Sequence, residues 1–128
     1  SQSIQDVEIA PNSLDKSFLS RSMQIIEEHL SDPMFSVETF ATLMHASRMT
    51  LYRKFKALTG ESPSDCIRRC RMEKAAELLQ TGKHNISEVS DLVGMQDLSY
   101  FSTAFKKHFR MSPSEYLSNA GIPSRGRG

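Results

Sequence analysis

Residues Ser36 to Ile67, SVETFATLMHASRMTLYRKFKALTGESPSDCI, lie over Ile86 to Leu117, ISEVSDLVGMQDLSYFSTAFKKHFRMSPSEYL. With one extra residue in the second copy's turn, Ala41 matches Ser90 ahead of the turn, and Leu51 matches Phe101, Phe55 matches Phe105 and Ser62-Pro63 matches Ser112-Pro113 after it. Each copy reads as a short helix, a tight turn, a longer helix with its apolar side chains along one side, and a Ser-Pro helix start. A supersecondary unit present twice in one chain fixes the architecture as two helix-turn-helix units.

Outward from the repeat, Phe18, Leu19, Ile25, Ile26 and Leu30 recur at helical spacing and predict a first helix from about Ser17, stopped by Ser31-Asp32-Pro33. Ser36 opens a short second helix, Ser47 caps a third that Thr59-Gly60 ends, and Ser62-Pro63-Ser64 opens a long connector running to Thr81-Gly82. Its inner stripe is Ile67, Ala75, Leu78 and Leu79. Ser87 is the expected cap of the next helix, Gly94 breaks it, Asp97 caps another through Phe109, and a last helix ends near Asn119. No alternating strand pattern occurs. The fold class is all-α, two helix-turn-helix subdomains joined by a long linker helix. Residues 1–16 read as a leader, 17–82 as the first unit with the linker helix, 83–119 as the second unit and 120–128 as a disordered tail.

At 128 residues with 38% hydrophobic and 24% charged content, the chain suits one compact domain or two very small ones and excludes a large multi-step enzyme. No apolar stretch approaches the roughly 20 residues a bilayer requires, and no secretory leader opens the chain. Cys66 and Cys70, four apart on one helix, are poorly placed for a disulfide and fit a reducing cytoplasm. Charge is unevenly divided. Residues 1–40 hold seven acids against two bases, whereas the rest holds 14 bases against eight acids, densest at Arg48, Arg53, Lys54 and Lys56. A polyanion is the partner such a distribution suits.

On a helical wheel with Met49 at zero, Leu51, Phe55 and Leu58 fall at about 180–240°, while Met49, Tyr52, Arg53 and Lys56 fall within about 60° of zero. One face packs and the other presents. Arg53 can fork onto guanine O6 and N7, Met49 and Tyr52 can meet a thymine methyl, and Lys56 and Arg48 can reach phosphates. A lone amphipathic helix would carry such charges merely for solubility; duplication inside a helix-turn-helix pattern favours a DNA reader. In the second copy the presenting positions are Ser99, Ser102, Thr103 and Lys106, with Lys107 and Arg110 extending the basic edge. Short hydroxyls discriminate little between bases and phosphates, so this helix is expected to add affinity and register more than sequence choice. An 18-residue linker helix, Ser64 to Thr81, spans about 27 Å, which suits two readers set about 34 Å apart in successive major grooves.

The stretches SRMTLYRKFKALTGESPSDCI, RMEKAAELL, ISEVSDLVGM and YFSTAFKKHFRMSPSEYL resemble the AraC/XylS family of bacterial transcription regulators over about residues 18 to 118. SFLSRSMQIIEEHLSDPMFSVETFA with SRMTLYRKFKALTG is similar, more narrowly, to the output domain of Bacteroides-type hybrid two-component regulators that respond to glycans. The resemblance implies base contacts from Met49, Tyr52 and Arg53 in the first unit and from Ser99, Tyr100 and Thr103 in the second. It implies sequence-specific duplex DNA binding without a cofactor, a phosphorelay upstream, RNA polymerase as a further partner, and either a larger parent with sensory or dimerisation domains or a small stand-alone member, the loose first 16 residues favouring a fragment of the larger parent. Two departures stand out. Arg110 occupies the place of the glycine matched by Gly60, and Thr103 stands where many members carry a long polar or basic side chain.

Catalysis has thin support. His29, His45, His84 and His108 are scattered, no HExxH, Walker or nucleophile-elbow pattern occurs, and two cysteines supply half of a usual zinc site. A helical protein-protein interaction module is the stronger alternative, since helical hairpins also dock partners, and RNA binding ranks below it for want of an exposed aromatic platform.

Overall fold

The structure, a computed structural model, describes residues 12–124. Among these, every regular element is a helix: α1 (Ser13–His29), α2 (Val37–Leu43), α3 (Arg48–Thr59), α4 (Pro63–Gln80), α5 (Ile86–Leu92), α6 (Leu98–Phe109) and α7 (Pro113–Asn119). Most ends are set by short polar side chains that satisfy the first free N–H groups. Ser36 accepts from Thr39 N, Ser47 from Thr50 N and Asp97 from Tyr100 N. Ser62 Oγ accepts from Asp65 N at 3.1 Å, with Pro63 as the first helical residue of α4. Ser112 and Glu115 form a reciprocal capping box at α7.

Three boundaries differ from the sequence reading. The cap of α5 is Asn85 rather than Ser87, because Glu88 reaches back to the Asn85 N–H at 2.8 Å and completes a capping box that Ser87 could not form. Helix α1 begins at Ser13, inside the expected leader, because Asn12 Oδ1 accepts from Asp15 N at 2.8 Å. The chain after α7 is not all loose. Gly121 takes a left-handed turn at φ 71°, the Ile122 N–H returns to Leu117 O at 2.9 Å, and the Ile122 side chain packs on the core. The rest of the expected leader and the end of the tail, with Arg125 and Arg127, lie outside the described residues.

The chain divides into two compact units, one formed by residues up to Glu28 with Ser36–Cys66, the other by His29–Phe35 with residues from Ile67 onward. Most of the linker helix thus groups with the second unit, where the sequence reading had placed it with the first. All but the last residue of the link between α1 and α2 (30–35 of 30–36) also belongs to the second unit, although both helices it joins lie almost wholly in the first. In the first unit Ile25, Ile26, Phe40, Leu51 and Phe55 are buried, and the Phe40 and Phe55 rings meet edge to face at 5.9 Å. The second unit buries Met72, Ala75, Leu79, Val89, Val93, Phe101 and Phe105. There Phe105 meets Phe101, Phe109 and Tyr116 at 5.8, 4.5 and 5.5 Å.

Both turns between the paired helices close with the same two hydrogen bonds. His45 N and Ala46 N bond to Thr42 O and Ala41 O, each at 3.0 Å, and Gly94 N and Met95 N bond to Asp91 O and Ser90 O at 3.0 and 2.9 Å. His45 and Gly94 occupy the left-handed position, at φ 57° and 78°. Helices α3 and α6 likewise end on left-handed residues, Gly60 at φ 83° and Arg110 at φ 65°. Each unit has one glycine and one side-chain-bearing residue at these two positions, in opposite order.

Candidate nucleic-acid interface

Helix α3 is split as its wheel requires. Leu51 and Phe55 are fully buried, while Met49, Tyr52, Arg53 and Lys56 are all exposed, Met49 by 68% and Tyr52 by 48%. Among the described residues, Arg53 and Lys56 make no ion pair and no side-chain hydrogen bond, so both charges are available. Arg48 lies 3.9 Å from Glu38, but with side chains 66% and 75% exposed this pair holds it weakly. Lys54 is different. Its ammonium sits over the Phe18 ring, 4.7 Å from the centroid, so one member of the basic cluster is engaged in packing against α1.

Helix α6 repeats the division with other chemistry. Phe101 and Phe105 are fully buried. Ser99, Tyr100, Thr103, Lys106 and Lys107 are exposed, and Ser102 is half-buried. Lys106, Lys107 and His108 crowd the last turn, where cations also favour the helix itself. Lys106 lies close enough to Glu115 to help lower that carboxyl's pKa, after the larger effect of the hydrogen bonds from Ser112.

A residue the sequence reading passed over sets the turn ahead of α6. Arg71 donates from Nε to Leu30 O at 3.2 Å and from Nη2 to Asp32 O at 2.9 Å. Burial pulls its pKa down from the ordinary value, against the opposing influence of Asp32 and Tyr100. Against this clamp lies Gly94: a Cβ there would stand 2.5 Å from Leu30 O and 3.0 Å from Arg71 Nη2. The guanidinium thus holds the 30–32 segment beside the turn at Gly94 within the second unit. The clue in the sequence is the basic residue opening RMEKAAELL, but its partners are 39 and 41 residues away.

The described residues contain no group of three or more His, Cys, Asp or Glu able to hold a metal ion, and no helix among them is long and apolar enough to cross a membrane.

Residues 40–119 match the helix-turn-helix domain family. The chain belongs to the AraC/XylS family of transcription regulators and is an AraC-type DNA-binding domain. It is 38% identical over 109 residues to a protein named histidine kinase P4 from Formosa agariphila, a match covering 85% of this chain and 8% of that protein. It is 35% identical over 107 residues to the transcriptional activator RhaR of Pectobacterium atrosepticum, covering 84% of this chain and 37% of the activator. Among solved structures, the C-terminal domain of AraT, a response regulator from Geobacillus stearothermophilus, is similar with a TM-score of 0.77 at 34% identity, covering 87% of this chain and 91% of that one. The DNA-binding domain of AdpA, solved in complex with a target DNA, gives a TM-score of 0.74 at 30% identity over 79% of this chain and 90% of that one. The chain thus spans well under half the length of these two curated relatives.

Proposed function

We propose that this chain is the output domain of a larger two-component regulator and that it reads duplex DNA chiefly through α3. The observation that carries the reading is the unpartnered face of Met49, Tyr52, Arg53 and Lys56, opposite a fully buried Leu51 and Phe55. Arg53 forks onto a guanine, Met49 and Tyr52 contact thymine methyls, and Arg48 and Lys56 hold phosphates. The second unit supplies Ser99, Tyr100 and Thr103 at the bases and Ser102, Lys106 and Lys107 at the backbone, anchoring more than selecting. Likeness to the AraT response-regulator domain and to a histidine kinase of which it matches only a small part supports a phosphorelay parent with sensory or dimerisation domains. The parent acts in the cytoplasm, where its DNA target lies, and contacts RNA polymerase rather than catalysing a reaction through this domain.

Selection of bound duplexes from a random pool, followed by footprinting, tests the reading. Protection over about two helical turns by a single chain is expected, since both readers lie in one polypeptide. Binding without sequence enrichment, or one insensitive to salt, would overturn it, because counterion release makes phosphate contacts steeply salt-dependent and a protein-docking module would show no such slope.

A further inference from the structure

The second unit carries a strained residue whose position matches the reading face of its helix. Arg110 is the left-handed C-terminal cap of α6, at φ 65° and ψ 20°, a conformation that disfavours residues with a Cβ other than asparagine and aspartate. The first unit fills the same position with Gly60, where an added Cβ would meet nothing within 4 Å, so the left-handed backbone alone favours glycine there. Space does not explain the arginine either. Its side chain is exposed and, among the described residues, makes no ion pair or hydrogen bond that would offset the strain.

Position supplies a reason. The Arg110 N–H still bonds to Lys106 O at 2.8 Å, so its Cα remains on the helical path of α6. Eleven residues beyond Ser99, its Cα stands about 20° around the axis from that of Ser99, at the end of the row Ser99, Thr103, Lys106, and its long flexible side chain starts from there. Eleven residues also carry the line about 16 Å along the axis, more than the roughly 12 Å width of a major groove. A helix entering with its first turn at the base edges therefore meets the bounding phosphate strand with its last.

We propose that Arg110 is a DNA phosphate anchor of the second unit, placed where the first unit has a glycine. The strain of the left-handed arginine is offset only when DNA is bound, which compensates for a reading face of short hydroxyls. The inference rests on the assignment of α3 and α6 as the DNA-facing helices.

The test pairs thermal melts with salt titrations on a duplex of about 30 base pairs enriched from the random pool, long enough for two successive major grooves. R110G is expected to raise Tm by about 4 °C as strain is relieved. The same variant should weaken DNA binding and lower the log–log salt slope by about 0.9, close to eightfold in affinity between 1 M and 0.1 M salt. R110N, which accepts the left-handed turn without a charge, should follow R110G, and R110K should keep the slope while gaining no Tm. Unchanged affinity and slope in R110G, with R53A still impaired, would overturn the anchor and leave the DNA-facing assignment standing. Unchanged binding in both R110G and R53A would overturn the assignment itself, and equal loss of slope in R110K and R110G would overturn a charge-based role.

Discussion

The two helix-turn-helix units share hydrogen bonds at both their turns and their helix ends, yet they place their glycines at opposite positions. The first unit has His45 in the turn and Gly60 at the helix end; the second has Gly94 in the turn and Arg110 at the end. Backbone conformation does not choose between these arrangements, since all four residues are left-handed. Surroundings choose. At Gly94 the Leu30 carbonyl and Arg71 occupy the space a side chain would need, whereas His45 is exposed to solvent. What looks like neutral variation between two copies of one motif follows from what each copy is packed against and what it presents.

The cores offer the largest effect with which to test the comparison. Truncation of either central phenylalanine should cost about 3–5 kcal/mol, with Phe105→Ala at the upper end because, among the described residues, Phe105 meets three other rings while Phe55 meets Phe40. Chemical denaturation of both variants measures this, and equal losses would show that the aromatic cluster adds nothing to simple burial. Next come the glycines. Gly94→Ala combines left-handed strain with a clash against a backbone carbonyl and should lose about 2–4 kcal/mol, while Gly60→Ala meets open space and should lose about 1 kcal/mol. If the two losses coincide, the 30–32 segment gives way without cost and the clamp at Arg71 is loose.

The readers are separated by smaller numbers. Arg53→Ala should lose about 1–3 kcal/mol of DNA affinity and relax preference at one guanine, with little change in Tm. Thr103→Ala should lose less, nearly equally across sequences. Titrations against single-base variants of the selected duplex decide it, and strong discrimination lost with Thr103 but kept without Arg53 would reverse the roles of the units. The smallest effect concerns Glu115, whose carboxyl is held below the usual range by the hydrogen bonds from Ser112. A depressed folded-state pKa contributes stability above the unfolded value and loses it as pH falls through the folded one. Glu115→Gln should therefore melt slightly earlier than the native chain at neutral pH, and the gap should close on acidification; a gap that widens toward low pH would contradict the capping box.

Much of this was readable in advance because it is local. Ser36, Ser47, Asp97 and Ser112 each stand directly before the helix they cap and accept from the N–H three residues on, and the duplicated aromatic pattern marks the packed faces of α3 and α6 whatever surrounds them. The α5 cap was missed although its signal lay close by: Asn85 has Glu88 at the third helical position, whereas Ser87 has Ser90, and only a carboxylate or amide can reach back to close the box. The Gly121-Ile122 pair has the same character, a left-handed glycine followed by an apolar residue that returns to the helix, hidden in a stretch whose composition suggested disorder. The Arg71 clamp could not be read locally. An arginine on a polar helix has many uses, and nothing near it in sequence names two carbonyls some 40 residues earlier. For the same reason the sequence pattern groups Lys54 with the basic cluster, although its ammonium lies over Phe18, 36 residues earlier.

The excursion of residues 30–35 has a consequence for dissection. Because the chain leaves the first unit, contributes a segment with buried Phe35 to the second, and then returns, no single cleavage point divides the polypeptide into two self-sufficient halves. A piece ending at Cys66 would carry an orphaned apolar segment, and a piece starting at Ile67 would lack the carbonyls that Arg71 and Gly94 are shaped around. The duplication is visible as two modules in the letters, but inheritance, shuffling or truncation of this domain has to handle it as one indivisible piece.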